Sequence, residues 1–324
     1  MSELIEDSGS ARIRTLLKDQ IERVWGRGET ALVDSNYSAD VRDHMPVPGQ
    51  PTGRDALKDV VEEFRAGIPD LRMDLHATLV AGDMGVDVWT LTGTHGGELF
   101  GQPATGQPIS ISGIDMIRVQ DGHVSQLWHV EELALLMSQI NQAPVEFGAP
   151  VQQPESSSST DQINAANADR MAHNPGEFAI VPGEAAFSQL EQRNLLTARR
   201  HIEEIWAKGR SELCWEMYHP EVVDHNRAPD QKPGIEGIID VLQWLREAVP
   251  DLSMTIECYV IDGDLIADRW VMTGTHTGAP LMGLEARGKS FTINGMDVAR
   301  VNADGLITEI WHAEEFHQLL QQVR

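Results

Sequence analysis

Cysteine is almost absent from this chain of 324 residues, which contains only Cys214 and Cys258. Disulfide frameworks belong to small secreted domains, so two cysteines favour a reducing, cytoplasmic compartment. Long apolar runs are also missing, and without about 18 consecutive apolar residues we expect no membrane-spanning helix. Residues 1–14 carry three acids before the first base, which is unlike a secretory signal.

Basic residues are scarce. The chain has 25 lysines and arginines against 50 aspartates and glutamates, a formal charge of −25. Such a surface repels phosphate backbones and anionic headgroups, so we expect neither nucleic acid nor a membrane as a partner. The hydrophobic share of 41% is enough to fill ordinary cores, and the length suggests two domains.

The two halves of the chain repeat each other. When Trp25 is set against Trp206, the halves stay in step through two single-residue shifts in turn-like sequence. The motifs that coincide are Asp43-His44 with Asp224-His225, Pro69-Asp70 with Pro250-Asp251, Thr92–His95 with Thr273–His276, Gly113–Asp115 with Gly295–Asp297, and Leu127–Glu132 with Ile310–Glu315. This period is too long for a solenoid and indicates a duplicated domain. We predict domains at 11–140 and 195–324, with a linker at 141–194.

Each copy reads as helices followed by strands. Thr52–Asp55 resembles a capping box, and an apolar stripe at helical spacing then runs to Pro69. Residues 86–94, 109–119 and 124–130 are rich in β-branched and aromatic residues, which is typical of strands. This order predicts an α+β fold with a mostly antiparallel sheet.

A hairpin around Asp121-Gly122 brings an Asp and a His together. A three-residue loop would make Asp115 and His129 diagonal neighbours on one face, with Gly113 opposite the histidine. In the second copy, a four-residue loop would place Asp297 and His312 in the same way. An Asp–His pair can transfer protons near neutral pH, so these four residues are our catalytic candidates. The alternative is a structural hydrogen bond between two strands.

Further polar and aromatic residues recur in both copies. The candidates for substrate binding are His44, His225, His95, His276, Trp89 and Trp270. The histidines could instead hold turns or end strands, and the tryptophans could be core residues. The histidine spacings match no known ligand motif, so we predict no metal site.

The motifs Thr-Gly-Thr-His, Gly-x-Asp-x-x-Arg, Asp-Gly and the closing Trp-His resemble the SnoaL-like polyketide cyclases. The runs Gly113–Arg118 and Gly295–Arg300 carry most of this resemblance, which covers both copies. Those cyclases belong to the superfamily of nuclear transport factor 2, ketosteroid isomerase and limonene epoxide hydrolase. The resemblance implies two tandem cone-shaped domains, each a curved sheet wrapped around a pocket and closed by helices. It also implies that the two sheets pair as an intramolecular pseudo-dimer.

The resemblance implies a cofactor-free general acid–base enzyme that closes a ring by aldol addition on a small apolar carbonyl or ester substrate. The cyclases carry their acid–base Asp where this chain has His129 and His312, and a His where it has Asp115 and Asp297, so the residue types are exchanged. From this pattern we expect the histidines to act as bases and the aspartates to orient them. Two other functions stay open: a small-molecule-binding module without turnover, and a hydrolase or isomerase on the same scaffold.

Overall fold

The computed structural model describes residues 8–46, 50–141, 187–228 and 230–324. Most of the predicted linker therefore lies outside the described residues. The second copy begins with a helix at Gln189, where Ser188 and Glu191 form a reciprocal capping box.

The first domain combines helices with one five-stranded sheet. Its helices are Ser8–Lys18, Leu32–Asn36, Arg54–Gly67 and Leu133–Asn141, with a π-helical segment at Asp19–Trp25. Its strands are β1 (Tyr37–Asp43), β2 (Arg72–Ala81), β3 (Met84–Thr94), β4 (Pro108–Gln120) and β5 (His123–Glu131). The sheet order is β1-β5-β4-β3-β2, and only the β1–β5 pair is parallel. The predicted α+β class is confirmed.

The second domain repeats this arrangement. Its helices are Gln189–Arg200, Cys214–Met217, Gly234–Ala248 and Phe316–Val323, with a π-helical segment at His201–Trp206 and a 3₁₀ turn at Ser211–Leu213. Its strands are β6 (Tyr218–Asp224), β7 (Ser253–Asp262), β8 (Leu265–His276), β9 (Lys289–Val301) and β10 (Ile307–Glu314). The order β6-β10-β9-β8-β7 is that of the first sheet, with β6 parallel to β10.

The helix Arg54–Gly67 forms as its apolar stripe predicts, with Val61 and Phe64 buried. The predicted capping box at its start is wrong, because the helix is preceded by Gly53 and no side chain caps it. Gly53 has φ +90°, a conformation that side chains rarely adopt, so this entry depends on backbone freedom.

The register of the β4–β5 hairpin differs from the prediction. The loop has two residues, Asp121 and Gly122, both with positive φ, as in a type I′ turn. An extra residue, Ser125, then bulges from β5, because Arg118 pairs with Gln126 while Val119 pairs with Val124. The bulge restores the shared face, so Asp115 lies directly opposite His129 and not diagonal to it.

The second hairpin has a loop of five residues between the paired Val301 and Ile307, where four were predicted. The side chain of Asn302 closes this loop by accepting hydrogen bonds from the backbone N–H groups of Asp304 and Leu306, both at 3.0 Å. Asp297 again lies directly opposite His312. The predicted glycines opposite the histidines are wrong in both copies, since Gly113 and Gly295 pair with glutamates on the closing strands.

The two sheets pack against each other through one apolar cluster, which we call the sheet interface. It contains Met45, Ala77, Leu79, Met84, Val86, Val88, Ile114, Met116, Trp128 and Val130 of the first domain, and Cys258, Val260, Leu265, Ala267, Met296, Val298, Trp311 and Ala313 of the second. The thiol of Cys258 lies 3.2 Å from the sulfur of Met116. The predicted face-to-face packing is therefore present.

Polar contacts fix the rim of this interface. Arg14 of the first domain forms an ion pair with Asp262 of the second at 2.7 Å. The same carboxylate accepts the backbone N–H of Val80 at 3.0 Å. In the described ranges, no helix is both long and apolar enough to cross a membrane.

We expect Val298→Asp to destabilise the chain by roughly 3 kcal/mol or more, because it buries an unpaired charge in the sheet interface. Urea unfolding followed by circular dichroism measures this loss. Val223→Asp is the control, since Val223 is 47% exposed and its replacement should cost no more than about 0.5 kcal/mol. Equal effects of the two variants would contradict an interface role.

Candidate active site

The two faces of β4, and likewise of β9, contact different parts of the molecule. Side chains alternate along a strand, so Ile114 and Met116 enter the sheet interface while Asp115 faces the helices of its own domain. His129 lies opposite Asp115 on that inner face. The structure thus brings together both predicted Asp–His pairs, one at the base of each domain.

Each of these histidines lies between two carboxylates. In the second domain, His312 Nε2 is 3.1 Å from Asp224 Oδ1, and its Nδ1 is 2.8 Å from Glu314 Oε1. In the first domain, His129 lies 3.3 Å from Asp43 and 2.9 Å from Glu131. The carboxylates that orient the rings are therefore not those of Asp115 and Asp297.

This geometry keeps both rings protonated. Burial alone would lower the pKa of His312, but the charges of Glu314 and Asp224 outweigh it and raise that pKa well above the ordinary value. In the first domain, the charges of Glu131 and Asp43 likewise outweigh burial and raise the pKa of His129 well above the ordinary value. Both rings therefore favour the imidazolium form.

The aspartates opposite these histidines also have raised pKa values, which in a carboxyl group favours the neutral form. Burial raises the pKa of Asp297 to about 7, although the charge of His312 acts against it. Burial likewise raises the pKa of Asp115 to about 6. In the second domain, Asp268 lies opposite Asp297 on the neighbouring strand β8. Asp268 is buried, and its pKa lies well above the ordinary value. Two adjacent buried carboxyls cannot both ionise easily, so this pair retains at least one proton near neutral pH.

The two domains differ in the space above the pair. The cavity beside the pair of the second domain has about 510 Å³, within the usual range of ligand pockets. The corresponding cavity in the first domain has about 70 Å³. The larger cavity has an apolar wall formed by Trp206, Ile238, Val241, Trp244, Leu245, Met254, Trp270, Met272, Met282, Ile310 and Phe316.

One substitution between the copies accounts for part of this difference. Gln20 of the first domain donates to Asp115 and accepts from the hydroxyl of Tyr37, so its amide occupies the space beside the acid. The corresponding residue of the second domain is His201, whose Nε2 accepts from the indole of Trp206 at 2.7 Å. Burial and the charge of His312 lower the pKa of His201 to about 3, so this ring is neutral and its proton is on Nδ1.

Tyr218 lines the larger cavity and is buried. Its hydroxyl has no hydrogen-bond partner of good geometry within the described residues. Its twin Tyr37, by contrast, donates to Gln20. The indole N–H of Trp206 lies near enough to favour the charged form of Tyr218, but the hydroxyl hydrogen has no acceptor among the described residues and is available to a polar atom of a ligand.

Among the predicted substrate-binding residues, Trp89 and Trp270 line the cavities. A Cβ at Gly113 or Gly295 would overlap the neighbouring indole ring, which explains a glycine at these positions. Trp270 also lies close enough for its indole N–H to favour the charged form of Asp297.

The other four predicted residues lie outside both cavities. His44 and His225 stack on Trp128 and Trp311, with ring centroids 4.4 and 4.3 Å apart. His95 and His276 are fully buried, and each makes a local hydrogen bond near the end of its strand. These four histidines pack on a tryptophan or hold a strand end, as the structural alternatives predict, and they are not part of the candidate site.

The carboxylates that hold the histidine rings, and the difference at positions 20 and 201, could not be predicted from the sequence. The repeat indicated the pairs Asp43-His44 and Asp224-His225, but the predicted binding residues were their histidines and not their aspartates. Glu131 and Glu314 follow His129 and His312 by two residues, so a strand places each glutamate on the same face as its histidine. Within the described residues, no group of three or more His, Cys, Asp or Glu side chains is arranged to hold a metal ion.

We expect Asp297→Asn to stabilise the chain more at pH 8 than at pH 5. The pKa of Asp297 is higher in the folded chain than its usual 3.8, so its contribution to stability is lost as pH rises from about 4 through about 7. Asparagine does not titrate and avoids this loss. Thermal unfolding at both pH values measures the difference, with exposed Asp304→Asn as the control. An equal effect at both pH values would contradict the raised pKa.

Comparisons with known proteins agree with this architecture. The family described as SnoaL-like polyketide cyclase matches residues 15–140 and 196–323. A search of curated proteins gave no match. Similar solved structures include TsrD from Streptomyces laurentii, which is 25% identical with a TM-score of 0.38 and matches 41% of this chain and 97% of its own. IdmH from Streptomyces antibioticus is 23% identical with a TM-score of 0.36, at coverages of 40% and 98%.

A SnoaL-like polyketide cyclase from Agrobacterium tumefaciens is also similar, with 13% identity, a TM-score of 0.34 and coverages of 40% and 97%. Each of these structures matches about the length of one domain of this chain. The two family matches together span most of the sequence and coincide with the two sheets. The chain therefore belongs to the SnoaL-like polyketide cyclase family, with one family domain in each half.

Proposed function

We propose that the chain is a cofactor-free general acid–base enzyme whose active site is the cavity of the second domain. Its substrate is a small apolar carbonyl or ester compound, and its reaction is an aldol-type ring closure. The observation that carries this proposal is the pair at the base of that cavity. There, a protonated His312 faces Asp297, whose pKa of about 7 suits proton transfer near neutral pH.

The roles in this proposal are the reverse of those expected from the sequence. An imidazolium cannot accept a proton, so His312 is not the base. Asp297, in its ionised form, removes a proton from the carbon next to a substrate carbonyl. The electron pair of the broken C–H bond forms the enolate, whose negative charge rests on the carbonyl oxygen.

The enolate carbon then attacks a second carbonyl of the same molecule, forming a C–C bond and an alkoxide. The alkoxide takes back the proton that Asp297 removed from carbon, so the site returns to its starting state. The positive charge of His312 stabilises both anions, and the hydroxyl of Tyr218 is a suitable donor to the enolate oxygen. The apolar wall excludes water, which strengthens these interactions.

The first domain has the same charged pair without the space for a substrate. With about 70 Å³, its cavity is far below the usual size of a ligand pocket, and Gln20 already binds Asp115. We therefore assign turnover to the second domain alone and a structural role to the first.

We expect Asp297→Asn and His312→Gln each to lower turnover at least about 100-fold, because each removes one proton-transfer or charge-stabilising group. A β-keto ester with an aromatic ring, dissolved in D₂O, serves as the probe. Loss of its α-proton signal above the buffer rate measures proton abstraction by NMR.

The matched controls are Asp115→Asn and His129→Gln, the same changes in the first domain. Because that domain is a separate site, they should leave the rate within about twofold. Circular dichroism checks that all four variants fold. If the first-domain pair lowered the rate as much as the second, the assignment of turnover to one domain would be wrong.

We also expect a bell-shaped dependence of the rate on pH. The rate should rise through about pH 7 as Asp297 ionises, since only its charged form accepts a proton. It should fall at alkaline pH as His312 loses its proton, because the pKa of that ring is raised well above its ordinary value. A rate that falls steadily from pH 5 to pH 8 would show that the base is not Asp297.

A further inference from the structure

The larger cavity is not built by one domain alone. The helix Leu133–Asn141, which ends the first domain, is here called the closing helix. Its residues Leu136 and Ile140 are buried in the core of the first domain. Its residues Ala134, Leu135, Ser138 and Gln139 line the cavity of the second domain. One short helix therefore closes one domain and forms a wall of the other domain's site.

Hydrogen bonds fix the closing helix to the first sheet, so this wall of the cavity is held in place by the first domain. The side chain of Gln139 accepts the backbone N–H of Ser110 at 2.9 Å and donates to its carbonyl at 2.8 Å. Just before the helix, Glu132 accepts the backbone N–H of Ser112 at 2.7 Å. The helix and Glu132 thus keep the geometry of the first sheet while they face the second cavity.

Polar contacts connect Glu132 with the second site. The carboxyl of Glu132 lies near enough to the side chain of Asn226, in the second domain, for that amide to favour its charged form, and both residues line the larger cavity. The side-chain oxygen of Asn226 accepts the backbone N–H of His312 at 3.1 Å. The backbone N–H of Asn226 donates to Asp224 at 3.0 Å, and Asp224 in turn holds the ring of His312.

The equivalent positions in the other direction hold different residues or make different contacts. Met45 corresponds to Asn226, and its side chain packs into the sheet interface. Glu315 corresponds to Glu132, and it binds both the backbone and the side chain of Asn294 in its own domain. Among the described residues, the first cavity is lined only by side chains of the first domain.

We propose that Glu132 of the first domain is a positioning residue of the second domain's active site, acting through Asn226 on the strand that carries His312. This inference rests on the proposed function for its catalytic meaning. The contact itself is a property of the fold, and it can be tested without a substrate.

The charges of Glu132 and His312 indicate in which direction Glu132 changes the pKa of His312. Burial raises the pKa of Glu132, and the charge of His312 lowers it. Such an interaction is mutual, so an ionised Glu132 favours the protonated form of His312. Removing the carboxyl should therefore make His312 easier to deprotonate.

The test is an NMR titration of the histidine rings in the intact chain, with His312 assigned through His312→Gln. We expect Glu132→Ala to lower the midpoint of His312 by roughly half a pH unit and to leave His129 unchanged. Glu132→Gln, which keeps a hydrogen-bond acceptor, should move the midpoint in the same direction and covers the case that the alanine variant does not fold. Asn226→Met, which copies the first domain, should also lower it.

Two further measurements make the result decisive. The double variant Glu132→Ala with Asn226→Met should shift His312 no further than the larger single change, because both act through one connection. Glu315→Ala is the matched control and should leave His129 unmoved. An unchanged His312 in both Glu132 variants would overturn the proposal, and so would equal shifts of His129 and His312. Because no turnover is needed, these outcomes do not depend on whether the proposed function is correct.

Discussion

His312 carries its proton inside a largely apolar cavity, and this charge is stable there because Asp224 and Glu314 lie within hydrogen-bond distance on either side of the ring. Removing a charge from water is expensive unless partners replace the lost hydration. One positive ring between two negative groups leaves a net negative site. Burial is the main cause of the raised pKa of Asp297, and the negative charges of Glu314 and Asp224 add to it because a third ionised carboxyl is hard to add to that site.

That constraint connects the packing of the domain to its chemistry. Asp297 is held near its point of half-ionisation by burial, and burial depends on the tryptophans and methionines of the cavity wall. The glycine at position 295 leaves room for Trp270 against the strand, so even the local backbone contributes to the proton affinity of the acid. Proton chemistry here is a result of packing as much as of residue type.

Much of the fold could be predicted from the sequence, because the repeat showed which polar positions both copies keep. The α+β class and the mostly antiparallel sheets followed from the order of helices and strands, and the Asp–His pairs followed from the hairpin pattern that both copies share. The hairpin register could not be predicted, since a bulge at Ser125 is decided by twist and local packing and has no sequence signature. The partners of the histidines were missed for a similar reason: Asp224 comes from a strand distant in sequence that lies parallel to β10.

The unequal cavities also lay beyond sequence reasoning. A glutamine and a histidine at equivalent positions are both ordinary polar residues, and only their contacts show that one fills a space that the other leaves open. The closing helix is a still harder case. Its apolar residues predict burial, but the pattern does not say that two of its faces serve two different domains.

The joining of two sheets within one polypeptide has a consequence for how such a site can change. In a pair of identical subunits, every substitution is made twice, so a residue that improves one site is also imposed on its mate. A tandem chain breaks this symmetry, since Asn226 and Met45 are encoded separately although they occupy equivalent places. One half is then free to specialise as scaffold while the other keeps the chemistry. The covalent link holds the two in a fixed one-to-one ratio, whatever their concentration.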